Sequence, residues 1–127
     1  MSNRAVISTP EAPEAIGPYS QAIKVGNTVW LSGQIPLVPE TMEIVEGDIS
    51  AQAKQVFRNL AAVAAAAGGT LDDAVKINIS LTDLADFGPV NEVMATYLQA
   101  PYPARACVQV AALPRGVSIE VEAILSV

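Results

Sequence analysis

The sequence predicts an α+β fold: a mixed six-stranded sheet with two helices on one face, in the order β-β-β-α-β-α-β-β. Three observations predict it. There are six short runs rich in Val, Ile and Ala, two longer stretches with apolar residues at helical spacing, and Gly or Pro punctuation between them. With 127 residues, 51% of them hydrophobic and 16% charged, the chain has the size and composition of a single domain over residues 1–127.

The expected strands are Ala5–Ser8, Gln21–Val25, Thr28–Gln34, Ala74–Leu81, Arg105–Ala111 and Val117–Leu125. Between the second and third, Gly26-Asn27 reads as a two-residue hairpin turn. The first helix is expected over Ala51–Ala67. Its stripe is Val56, Leu60, Val63, Ala64 and Ala67, with Asp48 or Ser50 as N-cap and Gly68-Gly69 as the stop. The second is expected over Asp86–Gln99, with Val90, Val93, Met94, Tyr97 and Leu98 on one face and Pro101 preventing continuation. If Asp86 is the N-cap, Pro89 falls in the first turn, where backbone N–H groups have no intrahelical partner. Two right-handed βαβ crossovers then make three strands parallel.

Two helices cover only one face of such a sheet. The other face, expected to be rich in Val, Ile and Ala as well, needs a partner, so the residues alone predict an oligomer.

Charge and residue inventory exclude several function classes. Thirteen acidic against seven basic side chains give a formal net charge of −6, opposite in sign to a nucleic-acid or anionic-membrane footprint. There is no histidine, so no Ser-His-Asp triad, Cys-His pair or His-ligated zinc site can be built from this chain. The single cysteine, Cys107, cannot form an intramolecular disulfide, as expected for a reducing cytoplasm. The longest uncharged stretch, the 15 residues Val25–Pro39, is too short and too broken to span a bilayer, and Met1–Pro10 has no apolar leader core.

The residues that could carry chemistry lie on two strands. Alternation puts Arg105, Cys107 and Gln109 on one strand face. Arg105 is either an edge residue reaching solvent or a carboxylate-capturing fork. Glu120 and Glu122 share a face about 7 Å apart, either on a solvated strand or with one of them orienting a water molecule. Cys107, lacking a histidine base, reads as a small hydrophobe rather than a nucleophile. Gly17-Pro18, Ser32-Gly33-Gln34 and Gly68-Gly69 match no phosphate-binding loop. Trp30, Tyr19 and Tyr102 read as core or interface rather than base-stacking platforms.

Four segments, in order, carry a resemblance: Ile16-Gly17-Pro18-Tyr19-Ser20-Gln21-Ala22, Ser32-Gly33-Gln34-Ile35-Pro36, Pro103-Ala104-Arg105-Ala106-Cys107-Val108, and Leu113-Pro114-Arg115-Gly116 leading into Ile119-Glu120-Val121-Glu122-Ala123. Together they resemble the reactive intermediate deaminase family, RidA or YjgF, from about Ile7 to the C-terminus. The resemblance implies a chorismate-mutase-like fold whose final strand inserts beside the third. It also implies a cytoplasmic homotrimer with clefts between subunits, and hydrolysis of 2-aminoacrylate-type enamines and imines to 2-keto acids and ammonia without metal or cofactor. By the matching positions it assigns Arg105 to the substrate carboxylate, the backbone around Ala106 and Cys107 to polar contacts, and Glu120 to water placement. Tyr19, Ser32, Gly33 and Asn91 match positions that line the family's cleft. One departure is Thr41-Met42, where many relatives have Thr-Gly; it bears on the cleft rim and so on substrate size.

The leading reading is therefore an imine/enamine deaminase acting on small imino acids. The alternative is a non-catalytic trimer that binds small carboxylates such as 2-keto acids, and the third is the endoribonuclease or translation-inhibitor activity attached to some relatives.

Overall fold

The computed structural model describes residues 3–127, so Met1 and Ser2 of the N-terminal stretch read above lie outside the described residues. Its strands are β1 (Ala5–Ile7), β2 (Ala22–Val25), β3 (Thr28–Gln34), β4 (Ala74–Leu81), β5 (Ala104–Gln109) and β6 (Ile119–Ser126), with helices α1 (Ile49–Ala66) and α2 (Phe87–Tyr97). They form one six-stranded sheet in the order β1-β2-β3-β6-β4-β5. The last strand runs antiparallel to both β3 and β4, and β4 pairs in parallel with β5. Strands β3, β4 and β5 therefore share one direction, as the two crossovers require.

Local signals explain most boundaries. Gly26, at φ 58°, opens the β2–β3 turn, and Val25 pairs with Thr28 as a two-residue hairpin demands. The Asp48 carboxylate accepts from the Ala51 N–H at 3.0 Å and caps α1. At the other end Gly68, at φ 89°, donates to the Ala65 carbonyl and Gly69 to that of Ala64, both at 3.0 Å, a Schellman stop. Lys24 adds a charged donor there, 3.1 Å from the Ala67 carbonyl.

The expected α1 stripe is buried in full, joined by Ala53 and Phe57, and packs on Val29, Leu31, Ile77, Ile79, Val121, Ala123 and Leu125 of the sheet. From α2 it is Val90 and Val93, with Leu98 just beyond the helix, that enter this core. The ring of Phe57 stacks on that of Tyr97 at 5.7 Å, tying the helices together.

Three differences from expectation have physical causes. Asp86 does not cap α2. The chain first makes a short 3₁₀ turn, Leu84–Asp86, and Asp83 caps that by accepting from the Ala85 N–H at 2.9 Å. The final strand starts at Ile119 rather than Val117, because Pro114–Gly116 form another short turn with Arg115 at φ 58°. The open face is also less apolar than expected. Ile23, Trp30 and Ile124 form an apolar row across β2, β3 and β6, but Lys76, Asn78, Ser80, Glu120 and Glu122 share that face.

Candidate functional site

Arg105 stands on β5, the sheet edge, in register with Ile77 of β4, and so on the helix-covered side. Its guanidinium donates to Asn91 Oδ1 of α2 at 2.6 Å and lies over the Phe87 ring, 4.9 Å from the centroid. These two neighbours hold a planar fork at the rim of a cavity of about 460 Å³, floored by Ile77, Met94, Leu98 and Tyr102. The group remains exposed and charged, ready for a carboxylate.

The β5 backbone beside Arg105 is equally available. Val110 N–H bonds to the Leu81 carbonyl at 2.8 Å, so by strand alternation Ala106 and Val108 face β4. The N–H and C=O of Arg105 and Cys107 consequently point off the free edge. The Cys107 side chain packs against the core, and burial pushes its thiol up more than the Arg105 charge pulls it down. A protonated thiol follows. The Ala106 side chain is exposed on the opposite, open face.

Glu120 belongs to that open face, in register with Ser80. It lines a second hollow, of about 680 Å³, with Tyr19, Ser32, Gly33 and Glu122. Burial raises the Glu120 pKa above the usual carboxylate range, and the neighbouring Glu122 charge raises it further. Glu122 is itself engaged, accepting from Asn78 Nδ2 at 3.1 Å.

The walls of this hollow are set by short-range chemistry. The pairing of β3 with β6 shifts register between Leu31 and Gln34, and Gly33 sits in that irregularity against the Glu120 side chain. Gly17, at φ 126°, lets Tyr19 N–H reach back to the Gly17 carbonyl at 2.9 Å, a tight turn that presents the exposed phenol. Buried Gln21 ties this segment down: its amide nitrogen donates to the Pro13 carbonyl at 2.8 Å and its oxygen accepts from Thr9 N–H at 2.7 Å.

Of the expected site residues, the structure brings Tyr19, Ser32, Gly33 and Glu120 together in one hollow and Asn91 and Arg105 in another, with the Cys107 backbone on the free edge of β5. It does not unite the two groups within one chain. Sequence reasoning missed Phe87, Gln21, and a buried pair on α1: Gln55 donates to Asn59 Oδ1 at 2.9 Å, and Asn59 donates to the Leu37 carbonyl at 2.9 Å. That pair fixes the loop forming the far wall of the Glu120 hollow. Polar residues at core-facing positions of the α1 stripe were the available signal.

A six-stranded sheet whose final strand is driven between β3 and β4, with two helices on one side, defines the structural class. The chain belongs to the Endoribonuclease L-PSP family, whose family model it matches over residues 9–127, and this bears out the resemblance to RidA and YjgF proteins. It is 49% identical to a 2-iminobutanoate/2-iminopropanoate deaminase of Dermatophagoides farinae, over 98% of each chain. Against the deaminase of that name from Mus musculus it is 50% identical, over 95% of this chain and 90% of the other. Among solved structures, RidA from an Antarctic Psychrobacter superposes with a TM-score of 0.94 at 58% identity, covering 97% of this chain and 99% of that one. Escherichia coli TdcF with bound serine superposes with a TM-score of 0.91 at 44% identity, covering 97% and 98%.

Proposed function

We propose that this chain hydrolyses small 2-imino acids, in tautomeric exchange with their enamines, to 2-keto acids and ammonia. The relatives named 2-iminobutanoate/2-iminopropanoate deaminase support the reaction, and the relative crystallised with serine supports a small amino-acid-like ligand. The observation that carries the reading is the division of labour in the structure: a fixed, exposed guanidinium at one surface and a half-buried carboxylate of raised pKa at another.

In this reading Arg105 grips the substrate carboxylate, Cys107 N–H offers a further donor, and Glu120 holds a water molecule against the imine carbon. As the water oxygen bonds to carbon, its proton passes to Glu120 and the C=N π electrons move to nitrogen. The carbinolamine then collapses: Glu120 returns its proton to the amino nitrogen, the C–N bond breaks as the hydroxyl oxygen forms C=O, and the hydroxyl proton leaves on ammonia as ammonium. An iminium carbon is already electrophilic, so position and charge suffice. The raised pKa makes Glu120 a stronger base than a solvated carboxylate once ionised.

Arg105 and Glu120 lie on opposite sides of the sheet and are separated by β4, about 10 Å across two strand spacings. A substrate of six or so heavy atoms cannot bridge them within one chain. The site is thus assembled between copies, with the open face and its Ile23, Trp30 and Ile124 row as the contact surface of a homotrimer working in the cytoplasm. The family's endoribonuclease designation is not favoured here, because a net charge of −6 per chain repels a polyanion. No helix among the described residues is long and apolar enough to cross a membrane.

The test is turnover of 2-iminopropanoate generated in situ by an amino-acid oxidase. Keto acid formation faster than the spontaneous rate, proportional to added protein, supports the reading. Binding of pyruvate without any acceleration would leave a carboxylate-binding protein instead.

A further inference from the structure

We propose that Met42 sets the side-chain length accepted in the Glu120 hollow, favouring imino acids with unbranched aliphatic chains over three-carbon 2-iminopropanoate. This rests on the imine-hydrolysis reading above for the identity of the ligand, and on the structure for the rest.

Met42 has φ 61°, a left-handed backbone that L side chains adopt at a cost and that glycine adopts freely. Its conformation is imposed from both sides. The Met42 N–H donates to the Val38 carbonyl at 2.7 Å, closing a tight loop that the Leu37–Ile44 bridge and a Val38 N–H to Glu43 carbonyl bond of 2.8 Å complete. The Met42 carbonyl accepts from Arg115 Nη1 at 2.6 Å, across 73 residues of sequence. Arg115 is itself left-handed at φ 58°, so the two non-glycine residues of positive φ among those described are bonded to each other. Both line the hollow that holds Glu120.

Strain retained by such over-determined contacts is a feature to be explained by what the residue does there. A glycine would satisfy the loop but leave the wall open, whereas methionine adds a half-buried, unbranched thioether to it. Ile16, Ile35 and Leu37 continue the apolar surface beside Met42 along the same hollow. A flexible thioether conforms to straight chains of differing length better than to branched ones.

The test measures dissociation constants of pyruvate, 2-oxobutanoate and 2-oxohexanoate by calorimetry, alongside kcat/KM for the imines made in situ from the corresponding amino acids. Wild type is expected to gain roughly threefold to fourfold in affinity per added methylene. Met42→Gly and Met42→Asn both suit the left-handed backbone, so they preserve the loop, and both should flatten that series to within about twofold. A series unchanged in both variants, or already flat in wild type, overturns the proposal. A wild-type series that both variants flatten, without acceleration of any imine, would sustain Met42 as the length gauge and reject the deaminase. Hydrolysis with a flat series would do the reverse.

Discussion

The Glu120 carboxylate rests against the one face of Gly33 where a side chain would stand: a Cβ built on Gly33 would lie 2.9 Å from Glu120 Cδ and 3.1 Å from Oε1. The glycine is not required by a left-handed turn, so its smallness is what matters, and it determines where the carboxylate can sit. Gly33→Ala is expected to fold, to push Glu120 aside, and to lower kcat about 10- to 100-fold. Matched thermal unfolding and imine turnover check this; unimpaired kcat with Glu120 displaced would deny the carboxylate its role.

Burial raises the Glu120 pKa, and the neighbouring Glu122 charge raises it further. Glu120 must be ionised to accept a proton from water, so activity should fall as pH drops through its raised pKa. Glu122→Gln removes the repelling charge and should move that acid limb to lower pH. Profiles of kcat/KM for the two proteins on the same imine cancel the substrate's own ionisation. An acid limb that stays in place would assign it to another group.

Arg105→Lys keeps the charge but loses the planar fork, the stacking on Phe87 and the bond to Asn91. Loss of one charge-assisted contact, about 1.5–3 kcal/mol, corresponds to roughly 10- to 150-fold in kcat/KM. Equal turnover by the lysine variant would rule out two-point carboxylate anchoring.

The thiol of Cys107 is core-packed and held protonated, and only its backbone faces the free edge. Cys107→Ser should therefore retain at least about half of the activity, while Glu120→Gln should lose on the order of 100-fold. The opposite pattern in single-turnover assays would indicate a thiol nucleophile.

How far the sequence revealed this arrangement depended on the range of the interactions involved. Val56, Leu60, Val63 and Ala64 follow helical spacing, and the Gly26 turn and Gly68 stop are local backbone chemistry, so the elements were legible. Placement of β6 between β3 and β4 was not, since a short turn after β5 is as compatible with a terminal hairpin; the resemblance alone implied it. Arg105 and Glu120 stood out as charges in apolar strands. Their separation onto opposite sheet faces needed the register. Phe87 beneath Arg105, Gly33 beneath Glu120 and the Asn59 bond to the Leu37 carbonyl are contacts between distant segments that no periodicity encodes.

In the proposed assembly one copy supplies Arg105 and another supplies Glu120. Arg105→Ala and Glu120→Gln chains, each inactive alone, can be unfolded, mixed in equal amounts and refolded together. Random assembly puts an intact Arg105 opposite an intact Glu120 in roughly a quarter of the clefts, so imine turnover should recover to about a quarter of wild type. Activity that remains at the level of the separate variants, in mixed assemblies confirmed by mass, would place both residues in the cleft of a single chain and contradict the account.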